Sequence, residues 1–254
     1  MIQRFQPISV FTKEPYKKIL AFPKPRDAEI KKRITELKKL RISHVSFTGP
    51  LQIEKCQILG KGYVGMVVLA KQNNKVVALK IRRIDSPRRN MINEAKLLKT
   101  VNKLEIGPRF IKNSKNFLIM EYIDGEKIID WAKKSETKAK EIRSVVKNVL
   151  TECFLLDDAG LDHGELSMID KHVIVSKKRN TIIDFESSSV NRKPSNVTGA
   201  TQGILIGSGL AKIIQKKIKI PTKKKIIDLI RMYKKNPTLE NFESLLIGLK
   251  LEKN

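Results

Sequence analysis

With 254 residues, 41% of them hydrophobic and 31% charged, the chain is long enough to bury the core of one large domain or two small ones. No apolar run approaches the ~20 residues that cross a bilayer, and two distant cysteines, Cys56 and Cys153, with no histidine cluster beside them exclude a disulfide scaffold or a structural zinc site. Lysine and arginine number 52 against 26 acidic residues, and the net charge of +26 creates a positive field suited to RNA, a ribonucleoprotein, an acidic protein or an anionic lipid head, although genome composition or adaptation to heat yields the same balance with no partner.

The first residues hold no continuous apolar stretch of the secretory kind, so a cytoplasmic address is expected. Residues 1–50 read as an appendage. Ile8 to Phe11 has the look of a short strand, Asp27 that of a helix cap, and Ile30, Ile34, Leu37 and Leu40 recur at helical spacing. Ile42 to Phe47 alternates like a strand, and Gly49-Pro50 ends it. From 51 to 123 the pattern changes to strands and tight turns: Leu51 to Leu59, Met66 to Ala70 and Val76 to Ile81. Gln72-Asn73-Asn74-Lys75 joins the last two as a hairpin turn. A helix is expected over Arg89 to Val101, followed by strands over Arg109 to Ile111 and Asn116 to Tyr122.

Beyond residue 138 helix dominates. Ile142, Val145, Val146, Val149, Leu150, Cys153 and Leu156 keep one face apolar until Gly160 stops the run. His172 to Ser176 and Thr181 to Ile183 form a second hairpin, and the remainder from about 200 reads as two or three helices jointed at Pro221 and Asn236-Pro237.

Gly60-Lys61-Gly62-Tyr63-Val64-Gly65 is a weak motif by itself. A dinucleotide fingerprint needs a helix after it, whereas Met66-Val67-Val68-Leu69 continues as a strand, so the glycines belong to a strand-turn-strand flap that lets backbone amides approach phosphate oxygens. Asp85 stands where a dinucleotide-binding acid would, but no helix leads to it. In Val77-Ala78-Leu79-Lys80 a lysine interrupts an apolar strand and needs something to offset its desolvation. Glu94 answers it: it lies within the helical stripe of Met91, Ala95, Leu98 and Val101, so a buried carboxylate and a buried ammonium look for each other. A surface lysine and a rim glutamate are the bland alternative.

Taken in order, Gly60-x-Gly62-x-x-Gly65, Val77-Ala78-Leu79-Lys80, Glu94 and Leu118-Ile119-Met120-Glu121-Tyr122-Ile123 resemble the N-lobe and hinge of a protein kinase. His163-Gly164-Glu165-Leu166-Ser167 is similar to the His-Gly-Asp-Leu segment of RIO and KEOPS-associated small kinases, with Glu165 in place of the catalytic aspartate, and Asp184-Phe185-Glu186 stands where Asp-Phe-Gly would. The resemblance implies an α+β, bilobed protein kinase-like fold with a minimal C-lobe: appendage 1–50, N-lobe 51–123, helical C-lobe 124–254.

It further implies ATP and Mg²⁺ as cofactors. Lys80 would orient phosphates, Glu94 fix Lys80, Met120 act as gatekeeper, and the backbone of Glu121 and Ile123 meet adenine. Glu165 would take the proton of an acceptor hydroxyl and Asp184 hold the metal, with His172 or Asp170 as its companion, His172 being preferred for its place against the following strand. The extra methylene of Glu165 predicts slow transfer. The function so implied is an atypical archaeal-type Ser/Thr protein kinase with a protein substrate; an ATP-binding pseudokinase or slow ATPase bound to RNA or a ribonucleoprotein is the alternative. Ser187, Ser188 and Ser189 offer acceptors in cis, but a loop after a strand end is their simpler reading. The lysines from Lys212 to Lys225, interleaved with isoleucines, read either as a solvated helix face or as an RNA-docking surface.

Overall fold

Residues 4–252 are described by the structure, a computed structural model. The chain divides into two units, one running up to Asn102 and including Pro108–Tyr122, the other comprising Lys103–Gly107 and everything from Ile123 onward.

The first unit begins with β1 (Phe5–Pro7) and a 3-10 turn over Ile8–Thr12. That turn replaces the strand expected at Ile8 to Phe11: Val10 and Phe11 are consecutive and both buried, which a strand with one covered face does not allow. Helices α1 (Tyr16–Leu20) and α2 (Asp27–Lys39) follow, α2 burying Ile30, Leu37 and the whole of Arg33. Arg33 is held by Glu29 at 2.6 Å and by the carbonyls of Leu20 and Arg82. Next come β2 (Ile42–Ser46), β3 (Leu51–Ile53) and β4 (Cys56–Ile58). Leu51 to Leu59 is thus a small hairpin and not one strand, because Glu54 turns the chain in the left-handed region at φ 53°.

β5 (Gly60–Lys61), β6 (Gly65–Gln72), β7 (Lys75–Arg82), α3 (Ile92–Asn102), β8 (Phe110–Asn113) and β9 (Phe117–Glu121) complete the unit. Its seven-stranded sheet runs β1-β2-β6-β7-β9-β8, with β5 also on β6. Asn73 and Asn74 both take positive φ in the β6–β7 turn, as a two-residue hairpin of matching twist requires. The segment set apart by sequence as an appendage belongs to this sheet. β5 covers only Met66 and Val67 of β6, and β2 pairs with the edge left open from Leu69 to Gln72.

The second unit carries β10 (Gly125–Lys127), α4 (Ile128–Lys133), α5 (Ala139–Asp158), α6 (Ile169–His172), β11 (Val173–Ser176) and β12 (Asn180–Ile182). β10, too short to announce itself in sequence, pairs with β11. Four helices follow where two or three were expected: α7 (Asn196–Leu205), α8 (Gly209–Lys217), α9 (Lys223–Lys235) and α10 (Leu239–Gly248). Ser208, Thr222 and Thr238 each cap the next helix, accepting from Ala211, Lys225 and Asn241 backbone amides, and these caps split what composition alone runs together. Among the described residues no single helix is long and apolar enough to cross a membrane. Cys56 and Cys153 are both buried and free.

Candidate functional site

In the first unit Lys80 sits on β7 between Val67 of β6 and Leu118 of β9, in the middle of the sheet. Asn90 starts α3 by accepting the Ile92 amide, and the helix then presents Glu94 on the same face as buried Ala95 and Leu98. The Lys80 Nζ donates to Glu94 Oε1 at 2.7 Å, with both side chains only 5% exposed. Removing either charge from water is costly without such a partner, so the pair fixes the ammonium at one point.

The glycine flap is folded against that lysine. Gly62 N–H donates to Gly65 O at 2.8 Å, and the backbone N–H of Arg83 holds the tip by donating to Val64 O. Tyr63 stands out from the tip, 71% exposed. A Cβ on Gly65 would lie 2.8 Å from the Ile81 carbonyl oxygen and 3.1 Å from Lys80 Cγ, whereas one on Gly60 would meet nothing within 4 Å. Of these two glycines, space requires only Gly65. Asp85 pairs with Arg83 at 2.7 Å, which accounts for it without any ribose.

On β9, Met120 is half-buried and faces Ala78 and Phe110 in register. The Glu121 N–H is already committed to the Arg109 carbonyl, and its side chain accepts the Arg109 amide in return. Ile123 is buried and opens the second unit.

The second unit gathers the remaining residues around an irregular loop. Asp162 and Ser189 exchange backbone hydrogen bonds, bringing the segment that precedes His163 beside the segment that follows Asp184. Gly164 has φ +89°, and a Cβ there would strike Arg192 Nη2 at 2.4 Å. His163 is fully buried, with Nε2 3.1 Å from the Ile183 carbonyl oxygen and its ring edge-on to Phe185 and His172. Burial, reinforced by the neighbouring His172, pushes its pKa down to about 4, so the imidazole is neutral and serves as a wedge.

Glu165 is flanked on both sides. Its Oε1 accepts from Ser187 Oγ at 2.7 Å and its Oε2 lies 3.1 Å from His172 Nε2. Asp184, half-buried, takes left-handed φ 70° and ψ 66°, after which Phe185 turns into the interior. An aspartate tolerates this region better than most residues, at a cost of about 1 kcal/mol. Asp170 is half-exposed on α6. Oxygen donors suit Mg²⁺ better than an imidazole does; in this unit the carboxylate that gathers with Asp184 is that of Glu186, their oxygens lying within 4.8 Å, while His172, buried and turned to Glu165, fits the ion less well.

Several supporting residues carry no motif and were missed by sequence reading. Asp157 on α5 accepts from the backbone amides of Asn196 and Val197, from the Asn196 side chain and from Tyr233 Oη, yet burial still raises its pKa. Asn196 in turn accepts the His163 amide and donates to the Leu161 carbonyl oxygen, which ties the loop to the start of α7. Arg192 joins Asp162 to the Ser187 carbonyl oxygen. The only advance signal was an uncommitted polar residue beside an apolar helix. On α8, α9 and the link between them the isoleucines Ile214, Ile218, Ile226 and Ile230 are buried and Lys212, Lys216, Lys219, Lys223, Lys224 and Lys225 are exposed.

Compared with protein-family models, residues 70–198 match the RIO domain. An uncharacterized protein of Methanocaldococcus jannaschii is 31% identical over 102 residues, covering 40% of this chain and 84% of that protein.

Proposed function

Because the chain belongs to the RIO-domain family of atypical protein kinase-like proteins, we propose that it transfers the γ-phosphoryl group of ATP to a serine or threonine hydroxyl of a protein. The observation that carries this reading is the buried Lys80–Glu94 pair at 2.7 Å, an ammonium fixed beside a glycine flap that leaves it room. Lys80 meets phosphate oxygens, and Glu94 keeps it from collapsing elsewhere. Gly60 and Gly65 let the flap backbone approach the phosphates, the Gly62 amide being spent on the Gly65 carbonyl oxygen. The Glu121 carbonyl and the Ile123 backbone meet adenine; the Glu121 amide is spent on Arg109.

Glu165 receives the proton of the attacking hydroxyl; Ser187 holds its carboxylate by a hydrogen bond, and His172 Nε2 lies 3.1 Å from its other oxygen. Asp184, with the Glu186 carboxylate beside it, would hold Mg²⁺, which neutralises charge on the phosphate oxygens when bound. Phosphoryl transfer rests on positioning and electrostatics, so this set of groups is sufficient in kind. Incubation with radiolabelled ATP, Mg²⁺ and a generic protein acceptor tests it: label enters protein with the native chain and is lost in Lys80→Met and Asp184→Asn.

One observation favours a second reading. Glu165 already accepts a hydroxyl of its own chain, which slows access of an outside acceptor and fits a slow ATPase. Release of inorganic phosphate with no labelled protein would select it.

A further inference from the structure

Three serines follow Glu186, and their hydroxyls are engaged differently. Ser188 Oγ donates to the His163 carbonyl oxygen at 3.5 Å, and Ser189 Oγ accepts the Asn191 amide at 3.0 Å, both ordinary loop contacts. Ser187 Oγ alone donates to a carboxylate, Glu165 Oε1, at 2.7 Å. The other oxygen of that carboxylate lies 3.1 Å from His172 Nε2. A hydroxyl with a base within hydrogen-bond reach is the core of an activated nucleophile. The backbone holds it there: Arg192 Nη2 donates to the Ser187 carbonyl oxygen, and Gly164 makes room for that guanidinium by carrying no side chain.

We infer that Ser187 is an internal phosphoryl acceptor, modified in cis with Glu165 as the base, an inference that rests on the phosphoryl-transfer reading above. In the step Ser187 Oγ bonds to the γ-phosphorus of ATP, the bond from that phosphorus to the bridging oxygen breaks, ADP leaves with the electron pair, and the hydroxyl proton passes to Glu165. The product places a phosphate dianion against a carboxylate. Repulsion then drives the phosphoserine away from Glu165, and the guanidinium of Arg192 is at hand to receive it. Modification of Ser187 thereby frees Glu165 for an outside hydroxyl, so the acceptor doubles as a plug removed by its own reaction.

The test uses the full chain with ATP and Mg²⁺, followed by fragmentation mass spectrometry of the peptide Asn180 to Arg192, which holds all three serines. Phosphate is expected on Ser187, at a first-order rate unchanged on tenfold dilution of the protein, absent in Ser187→Ala and slowed by about a hundredfold or more in Glu165→Gln. A readout independent of turnover is alkylation of the Ser187→Cys variant, expected to be slowed severalfold by a non-hydrolysable ATP analogue with Mg²⁺. Three results overturn the inference while leaving phosphoryl transfer intact: label found only on Ser188, Ser189 or elsewhere, a rate proportional to protein concentration, or alkylation of the Ser187→Cys variant at a rate indifferent to bound analogue. Absence of any ATP binding or turnover overturns the phosphoryl-transfer reading first, and this inference with it.

Discussion

The two units differ in how they treat several of their buried titratable groups. The first gives its buried cations partners: Lys80 has Glu94, and Arg33, wholly buried, has Glu29 and two backbone carbonyls. The second pushes titratable groups toward neutrality. Burial depresses His163 to about 4, raises Glu152 to about 7 and raises Asp157 despite the four donors around it. A paired charge is sensitive to loss of its partner and indifferent to pH near neutrality, whereas a neutralised acid is the reverse. The first unit should therefore break by mutation and the second by titration.

The largest effect is expected at the Lys80–Glu94 pair. Glu94→Ala leaves the ammonium without its carboxylate and should cost about 3–5 kcal/mol in denaturant unfolding of the first unit, with much of the loss recovered in the double variant Lys80→Met/Glu94→Leu. Equal destabilisation by the single and double variants would mean that packing, not charge pairing, matters there.

Glu152 supplies the contrast. It accepts from Asn180 Nδ2 at 3.0 Å, and burial outweighs that bond, Arg179 and the Ile182 amide to raise its pKa from 4.5 to about 7. The folded state thus holds a proton that the unfolded chain has released, so the Glu152 contribution to stability falls as pH rises from about 4.5 to about 7 and is level above that, opposed between about 4 and 6.5 by the buried neutral His163, whose contribution rises with pH. The full loss is about 3 kcal/mol, and Glu152→Gln should remove this contribution from the melting-temperature profile. An unchanged slope would remove Glu152 from the comparison.

A smaller effect separates two flap glycines. Gly65→Ala must displace the Ile81 carbonyl or the Lys80 stem and should cost about 1–3 kcal/mol. Gly60→Ala meets open space and should stay within about 0.5 kcal/mol. Thermal melts of the two variants side by side decide it.

Legibility in the sequence follows the same division. Lys80, Glu94 and the flap lie on a regular hairpin and helix, where periods of two and 3.6 residues declare which face is covered, and a charge on a covered face stands out. The site of the second unit rests on backbone without a period: Gly164 and Asp184 in left-handed conformations, a 3-10 turn and two antiparallel bonds between Asp162 and Ser189. Motif order found Glu165 and Asp184 there, but nothing local could show that Ser187 reaches Glu165 or that His172 turns toward it. The split of Leu51 to Leu59 at Glu54 and the three-residue β10 escaped for a related reason, since segments this short bury too little to leave a pattern.

The claim on which all of this rests is that ATP binding needs both Lys80 and Asp184, and ligand-induced thermal stabilisation tests it most directly. At a hundredfold excess over the dissociation constant, ATP with Mg²⁺ should stabilise the native chain by about 2.7 kcal/mol, and Lys80→Met in the first unit and Asp184→Asn in the second should each abolish the shift. A shift that survives in either variant, or none in the native chain, would contradict the account.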